Sequence, residues 1–384
     1  MNIALVEPDP LLRQVLTNAV LRLVPSARIL AFADLYNARI ELKQWSVQLL
    51  VLSAKLPDGD GFDLLKSVGQ AIKQLPVLLL IEQIDRITVI RAKKYGVNSI
   101  LSKPFNHHKV LSKLAELLPN QPKEAGQTDA LVPLEGFIVE QIEQSALRLS
   151  HDPAIEKDLS MLTLSPSPLR ELHQLARQST VLVAYLIAEA NRLSLSNGQV
   201  IESVPEAIKA LGSARGLLIS QQLLLQSHGL VHPGLVTLAR DYCDRMQMIA
   251  KTAYVLAKKY QADAEACFAA CMMIYMGELA VLRLAQAWLD KGGQWHSGSL
   301  EALTKVLARF GPRAGNKIKV DLHLPIAVRE LTGAVHLMPT GIIRREKLIT
   351  RLASLMNLAD KEQEIMEVMR HLGAVPQVSV ERKA

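Results

Sequence analysis

The first 120 residues alternate between two hydrophobic periods, and that alternation admits few folds. Short apolar runs recur at residues 3–6, 28–32, 49–53, 77–81 and 99–101. Between them lie segments with a helical period. Leu12, Val15, Leu16, Ala19, Val20 and Leu23 share one stripe, and Leu64, Leu65, Val68 and Ile72 share another. Near-continuous apolar runs mark strands buried on both faces. Strands that alternate with helices predict a parallel, doubly wound, five-stranded sheet. Such a sheet offers its ligand site at the carboxyl ends of the strands. The residues predicted there are Glu7, Pro8, Asp9, Ser53, Ile81 and Lys103.

The third run, Leu49-Leu50-Val51-Leu52-Ser53, leads into Leu56-Pro57-Asp58-Gly59-Asp60-Gly61, and the fifth leads into Lys103-Pro104-Phe105. In these stretches the region resembles a response-regulator receiver domain over residues 1–119, which implies a flavodoxin-like fold. The resemblance implies an aspartate at 53 that accepts a phosphoryl group, and two adjacent acids after the first strand that hold Mg²⁺. It also implies a hydroxyl residue at 81 and a lysine at 103. Here Ser53 replaces the acceptor, Pro8 fills the slot beside Glu7, and Ile81 replaces the hydroxyl. Mg²⁺ prefers carboxylate and water oxygens, which proline lacks. A serine hydroxyl needs an adjacent base to attack, and no histidine lies near Ser53 in sequence. Lys103 alone is intact and is expected to pair with Glu7; Asp9 is expected to cap the first helix. The resemblance is therefore to a pseudo-receiver.

Residues 120–133 are polar, carry Pro and Gly and lack an apolar period, as a linker would. From 134 the pattern is helical almost throughout. Ile201-Glu202-Ser203-Val204-Pro205-Glu206-Ala207-Ile208-Lys209-Ala210-Leu211-Gly212 follows a helix that ends in Ala188-Glu189-Ala190-Asn191. These runs resemble the HDOD domain, an HD-related output domain, with boundaries expected at 134–342. The fold class is thus α/β plus all-α, with an all-helical HDOD bundle after the receiver. The related HD phosphohydrolases hold metal with histidines and an adjacent His-Asp pair. Ile274 and Tyr275 stand at that pair here, and Arg245 at the earlier histidine slot. Isoleucine cannot ligate a metal. Asp321, His323 and Glu330 give a weak ligand-like spacing interrupted by Pro325. Residues 343–384 are expected to form a helical extension that caps the bundle or mediates self-association.

Aromatics make up only 4% of a chain that is 49% hydrophobic, which favours aliphatic helical cores. The net charge of +7 is uneven: residues 1–120 hold 15 Lys/Arg against 10 Asp/Glu. Arg86, Arg91, Lys93 and Lys94 belong to this excess, and are expected either on a solvated helix face or on a docking face for an acidic signalling partner. No DNA-recognition pattern is evident. Cys243, Cys267 and Cys271 read as buried small side chains rather than a zinc set. The amino-terminal run reads as a strand and not as a signal peptide, and no apolar stretch is expected to reach the roughly 18 residues that span a membrane. The expectation is a cytoplasmic, non-catalytic signalling regulator without metal or cofactor, acting through protein interactions. The alternative is a divergent metal-dependent phosphohydrolase or a nucleotide-binding sensor of the HD superfamily.

Overall fold

The computed structural model describes residues 1–384 except 69–74, 106, 119–132, 145–146, 150–152, 163–164, 195–197, 227–228, 295–298, 337–342 and 374–384. Nearly all of the expected linker therefore lies outside the described residues. The chain forms two compact units.

The first unit opens with β1 (Asn2–Val6), α1 (Pro10–Leu23), β2 (Arg28–Phe32), α2 (Leu35–Glu41) and β3 (Leu49–Ser53). The short strands β4 (Lys55–Leu56) and β5 (Gly59–Asp60) pair antiparallel in the turn after β3. There follow α3 (Gly61–Val68), β6 (Val77–Ile81), α4 (Arg86–Lys94), β7 (Ser99–Ser102) and α5 (His107–Leu117). The main sheet runs β2-β1-β3-β6-β7, and its four pairings are all parallel. The order reverses at β1, so the crevice at the carboxyl ends of β1 and β3 is the switch point of a doubly wound sheet. Central strands β3 and β6 are buried at every residue, as their unbroken aliphatic sequences require. One face of the sheet packs on α1 and α5 through Val15, Leu16, Val110 and Leu114. The other packs around Phe62, Leu64 and Leu65 of α3. Gly61 is demanded by close approach, because a Cβ there would lie 2.2 Å from the Ser53 carbonyl oxygen.

The remaining elements are helices: α6 (Leu134–Glu143), α7 (Pro153–Met161), α8 (Pro168–Ala176), α9 (Thr180–Ser194), α10 (Val204–Gln226) and α11 (Pro233–Lys259). Then come α12 (Ala264–Cys271), α13 (Met276–Asp290), α14 (Ser299–Asp321), α15 (Ile326–Gly333), α16 (Arg345–Leu355) and α17 (Glu362–His371). The units are not contiguous in sequence. The first also takes in Lys157–Ser165 and Leu217–Ser227, so part of α7 and the second half of α10 belong with the sheet.

In the helical unit α13 lies on α14 at backbone contact. A Cβ on Gly277 would sit 1.8 Å from the Gly311 carbonyl oxygen, so only glycine fits there. Leu348, Leu352 and Leu355 of α16 pack with Val368 of α17 and against Leu256 of α11, which places the carboxyl-terminal helices on the bundle. The segment Ala264–Asp290 corrects the expectation about apolar length: its mean hydropathy of 1.6 over a membrane-spanning window meets the composition of a span. It is α12 and α13 joined by a turn, and 83% of that window is buried inside the protein. Apolar character there serves the buried core.

Candidate functional site

The loops after β3, β6 and β7 enclose a cleft of about 310 Å³, whose walls include Ser53, Ile81, Thr88, Arg91 and Lys103. Lys103 crosses its base. Its Nζ donates to Glu7 Oε2 at 2.6 Å and to Ser53 Oγ at 2.8 Å. Glu7 is 1% exposed, and its other oxygen accepts the Asp9 N–H at 3.0 Å. The Arg13 guanidinium donates to the main-chain carbonyls of Glu7 and Pro8. Asp9 caps α1, accepting from the N–H groups of Leu11 and Leu12 at 2.8 and 3.2 Å. Ile81 is buried at the end of β6 and supplies only hydrocarbon to the cleft.

This donor set does not fit Mg²⁺. The ion demands near-octahedral oxygen ligation at about 2.0–2.1 Å. Both Glu7 oxygens are occupied by N–H donors, Pro8 has no side-chain oxygen, and Asp9 is turned to its helix. The carboxylates of the following turn are also committed. Asp58 accepts the N–H groups of Leu35 and Tyr36, both at 2.8 Å, and the Leu35 bond leads in holding its carboxyl below the ordinary range. Asp60 pairs with Arg91 at 2.7 Å, and Arg91 lies 4.2 Å over the Phe62 ring.

Arg91 therefore departs from the expected docking set, because it forms part of the cleft wall. Arg86, Lys93 and Lys94 remain exposed on the outer side of α4. Ile84, Ile87 and Ile90 lie among them at 65%, 72% and 58% exposure. Charge alone had drawn attention to this helix. The missed signal is the three-residue spacing of Ile84, just before α4, with Ile87 and Ile90 on it, on a helix that buries only Ala92.

In the helical unit Ile274 is buried and Tyr275 is the N-cap residue of α13. Tyr275 meets Tyr242 with ring centroids 5.1 Å apart, and the exposed Arg245 lies 6.0 Å from the Tyr242 ring. Tyr275 and Arg245 thus both meet the Tyr242 ring, with Ile274 buried next to Tyr275 in sequence. Sequence reasoning missed Glu278 and Lys319, which lie near them. Burial pushes the Glu278 carboxyl up and the Lys319 ammonium down, each toward its neutral form. Burial also lowers His336, with Lys319 adding to the effect.

Asp321, His323 and Glu330 do not converge. Asp321 pairs with Lys317 and Glu330 with Lys347, each at 2.8 Å, while His323 is exposed. His228 and His296 lie outside the described residues. Burial raises both Cys267 and Cys271 well above the ordinary thiol range, as expected of inert core side chains.

A family model for the response regulator receiver domain matches residues 3–115, and one for the HDOD domain matches residues 151–337. Among curated relatives, the swarming motility regulation protein RssB of Serratia marcescens is 29% identical over 208 residues, which cover 53% of this chain and 85% of that protein. The DNA-binding transcriptional regulator NtrC of Azospirillum brasilense is 26% identical over 145 residues. That match covers 35% of this chain and 29% of NtrC, so the chain spans under a third of that relative. Chemotaxis protein CheY1 of Helicobacter pylori is 24% identical over 31% of this chain and 97% of its own length. The solved receiver domain of HemR from Leptospira biflexa is 28% identical and covers 32% of this chain and 97% of its own, with a TM-score of 0.29.

Proposed function

The chain is a signal-transduction regulator composed of a response-regulator receiver domain and an HDOD domain, and we propose that it works by docking, without phosphoryl transfer or hydrolysis. The observation that carries this reading is the Lys103 bridge to Glu7 and Ser53. It fills the phosphoacceptor slot with a closed set of hydrogen bonds. Ile81 leaves no hydroxyl to follow a phosphoryl group, and a site without ligands for Mg²⁺ has no means to offset the charge that transfer develops. In the HDOD domain Ile274 and Tyr275 remove the paired metal ligands. Both domains then serve as binding scaffolds in a cytoplasmic setting. The relation to a swarming motility regulator accords with a regulatory role.

The docking surface is the outer side of α4. Exposed isoleucines supply apolar area, and Arg86, Lys93 and Lys94 favour an acidic partner and speed its approach.

The test uses the whole chain. Beryllofluoride with Mg²⁺, or a small phosphodonor, is expected to leave amide exchange of α4 and β7 unchanged; a response that Ser53→Ala abolishes would overturn the proposal. Protein purified without chelator is expected to carry no stoichiometric Mn, Fe or Zn and to show no phosphodiesterase turnover. For the surface, Ile87→Asp with Lys93→Glu is expected to lose a partner that the wild-type chain retains from its native cell. Equal recovery by both proteins would move the docking site elsewhere.

A further inference from the structure

Helix α17 holds the rest of its unit by one side only. Of its 10 residues Val368 alone is buried, in the cluster with Leu348, Leu352 and Leu355, and Ile365 and Met369 pack at that cluster's edge. Glu364 also faces inward, where Arg351 bonds it at 2.6 Å. The opposite side, made of Glu362, Gln363, Met366, Glu367, Arg370 and His371, is exposed. Met366 stands on it at 43% exposure, and the turn that leads into the helix exposes Met356 and Leu358 at 54% and 50%.

The charges on this open side follow an order that their own surroundings do not explain. Glu362, Met366 and Arg370 lie at i, i+4 and i+8, along one ridge of the helix. Glu362 and Arg370 are therefore about 12 Å apart along the axis, beyond the roughly 8 Å over which exposed charges act at physiological salt. Neither makes an ion pair among the described residues, whereas Glu364 on the inner side has two, with Arg351 and Lys361. An acidic first turn and a basic last turn complement the helix dipole. The dipole acts on every side alike, however, and does not set the two signs at equal distances from an exposed methionine. An antiparallel copy of the same helix does require that order. A two-fold axis through Met366 places Glu362 opposite Arg370 of the second copy and Arg370 opposite its Glu362, with the two Met366 side chains in contact between them. Two-fold contacts demand such a self-complementary patch. Ridges at i, i+4 interdigitate in the commonest class of helix packing, and methionine is adaptable enough to pack on its own image.

We propose that the exposed side of α17 is a self-association surface, and that α17 of a second copy of this chain occupies it, antiparallel about Met366. A helix of this length spans about 15 Å and supplies less than the roughly 800 Å² per partner of a standard interface. The dimer is accordingly weak and forms as concentration rises. Its use is avidity, since two joined copies hold a partner with repeated sites more tightly than either does alone. The surface lies wholly within the helical unit and stands whether or not α4 receives a partner.

Sedimentation velocity on the full chain, across a concentration series, tests it. The wild type is expected to move from monomer toward dimer as concentration rises. Met366→Glu sets two like charges at the axis and is expected to stay monomeric throughout. Glu362→Arg and Arg370→Glu, each alone, set like charges opposite one another twice, and each is expected to raise the concentration of half-dimerisation about tenfold. Together they restore both pairs with the signs exchanged, and the double variant is expected to return close to the wild-type value. All three positions are exposed, so the fold does not depend on them. The proposal fails if the wild type stays monomeric up to its solubility limit, or if the double variant dimerises no better than the single ones. It fails equally if Met366→Glu dimerises as the wild type does, which would assign the dimer to another face.

Discussion

The receiver unit and the helical unit each hold a carboxylate and a lysine at their candidate site, and they treat the two charges in opposite ways. Glu7 and Lys103 touch at 2.6 Å, and every oxygen of the carboxylate has a donor. Glu278 and Lys319 act on one another only through space, while burial drives each toward neutrality. A closed pair gains from its geometry, whereas buried charges without direct contact keep the desolvation penalty. In the receiver unit the two charges belong to one closed hydrogen-bonded set with Ser53. In the helical unit they lie near the Tyr242–Tyr275 pair and each keeps a desolvation cost.

Breaking the closed pair gives the largest expected effect. Glu7→Ala strips Lys103 of its counter-ion and leaves the Asp9 N–H without its acceptor. Removal of one partner from a buried pair costs about 3–5 kcal/mol, and the partial exposure of Lys103, 21%, puts the expected loss near the lower end. Urea denaturation measures it. A loss below about 1 kcal/mol would make Glu7–Lys103 equivalent to a surface pair and would erase the contrast.

The same operation in the helical unit is expected to have the opposite sign. Glu278→Gln with Lys319→Met removes two desolvated charges that share no direct bond. Replacements of this kind are commonly neutral or stabilising by about 1–4 kcal/mol, so a rise in urea midpoint is expected. A strong destabilisation would mean that an ion pair does form in solution.

The pH dependence sharpens the point. Glu278 has its native pKa above the ordinary carboxylate value of 4.5 because burial opposes ionisation. The native state then holds a proton that the unfolded state has released. Between 4.5 and the higher native value, its contribution to stability falls as pH rises, and above that window the penalty is constant. The difference in stability between Glu278→Gln and wild type is expected to grow in favour of the variant across that window and then level off. His107 slopes the other way: burial first, then His108 and Arg22, lower it from 6.5 to about 4. The unfolded state binds that proton first, so stability is full above about pH 6.5 and is lost toward pH 4, which His107→Leu should flatten.

The receiver sheet was legible because its strands are buried on both faces. Runs such as Leu49–Ser53 and Val77–Ile81 leave no alternative to a central strand, and the observed bounds match. That Ser53, Pro8 and Ile81 stand at the expected site positions was equally legible, since side-chain type is read directly from the sequence. What could not be read were commitments set by distant partners. Arg91 looked like one more surface cation, and only the fold brings Asp60 and Phe62 to it from 31 and 29 positions away. Glu278 and Lys319 lie on different helices, and nothing local announces that they share one buried region. The apolar stretch Ala264–Asp290 was misjudged as well: its composition meets that of a span, but it is two helices joined by a turn and largely buried in the protein.

Ser53→Ala has the smallest expected effect and tests the comparison most closely. It deletes one acceptor of Lys103, 2.8 Å from Nζ, and leaves the Glu7 bond in place. A single hydrogen bond to a charged group contributes about 1.5–3 kcal/mol at most. The ammonium keeps its stronger partner and some access to water, so a loss of about 1 kcal/mol is expected. If Glu7 and Ser53 hold Lys103 as one closed set, Glu7→Ala and Ser53→Ala will not be additive, because each alone loosens the same ammonium. Additive losses in the double variant would mean that the serine and the glutamate hold Lys103 independently, and that the receiver site is two unrelated contacts rather than one closed cluster.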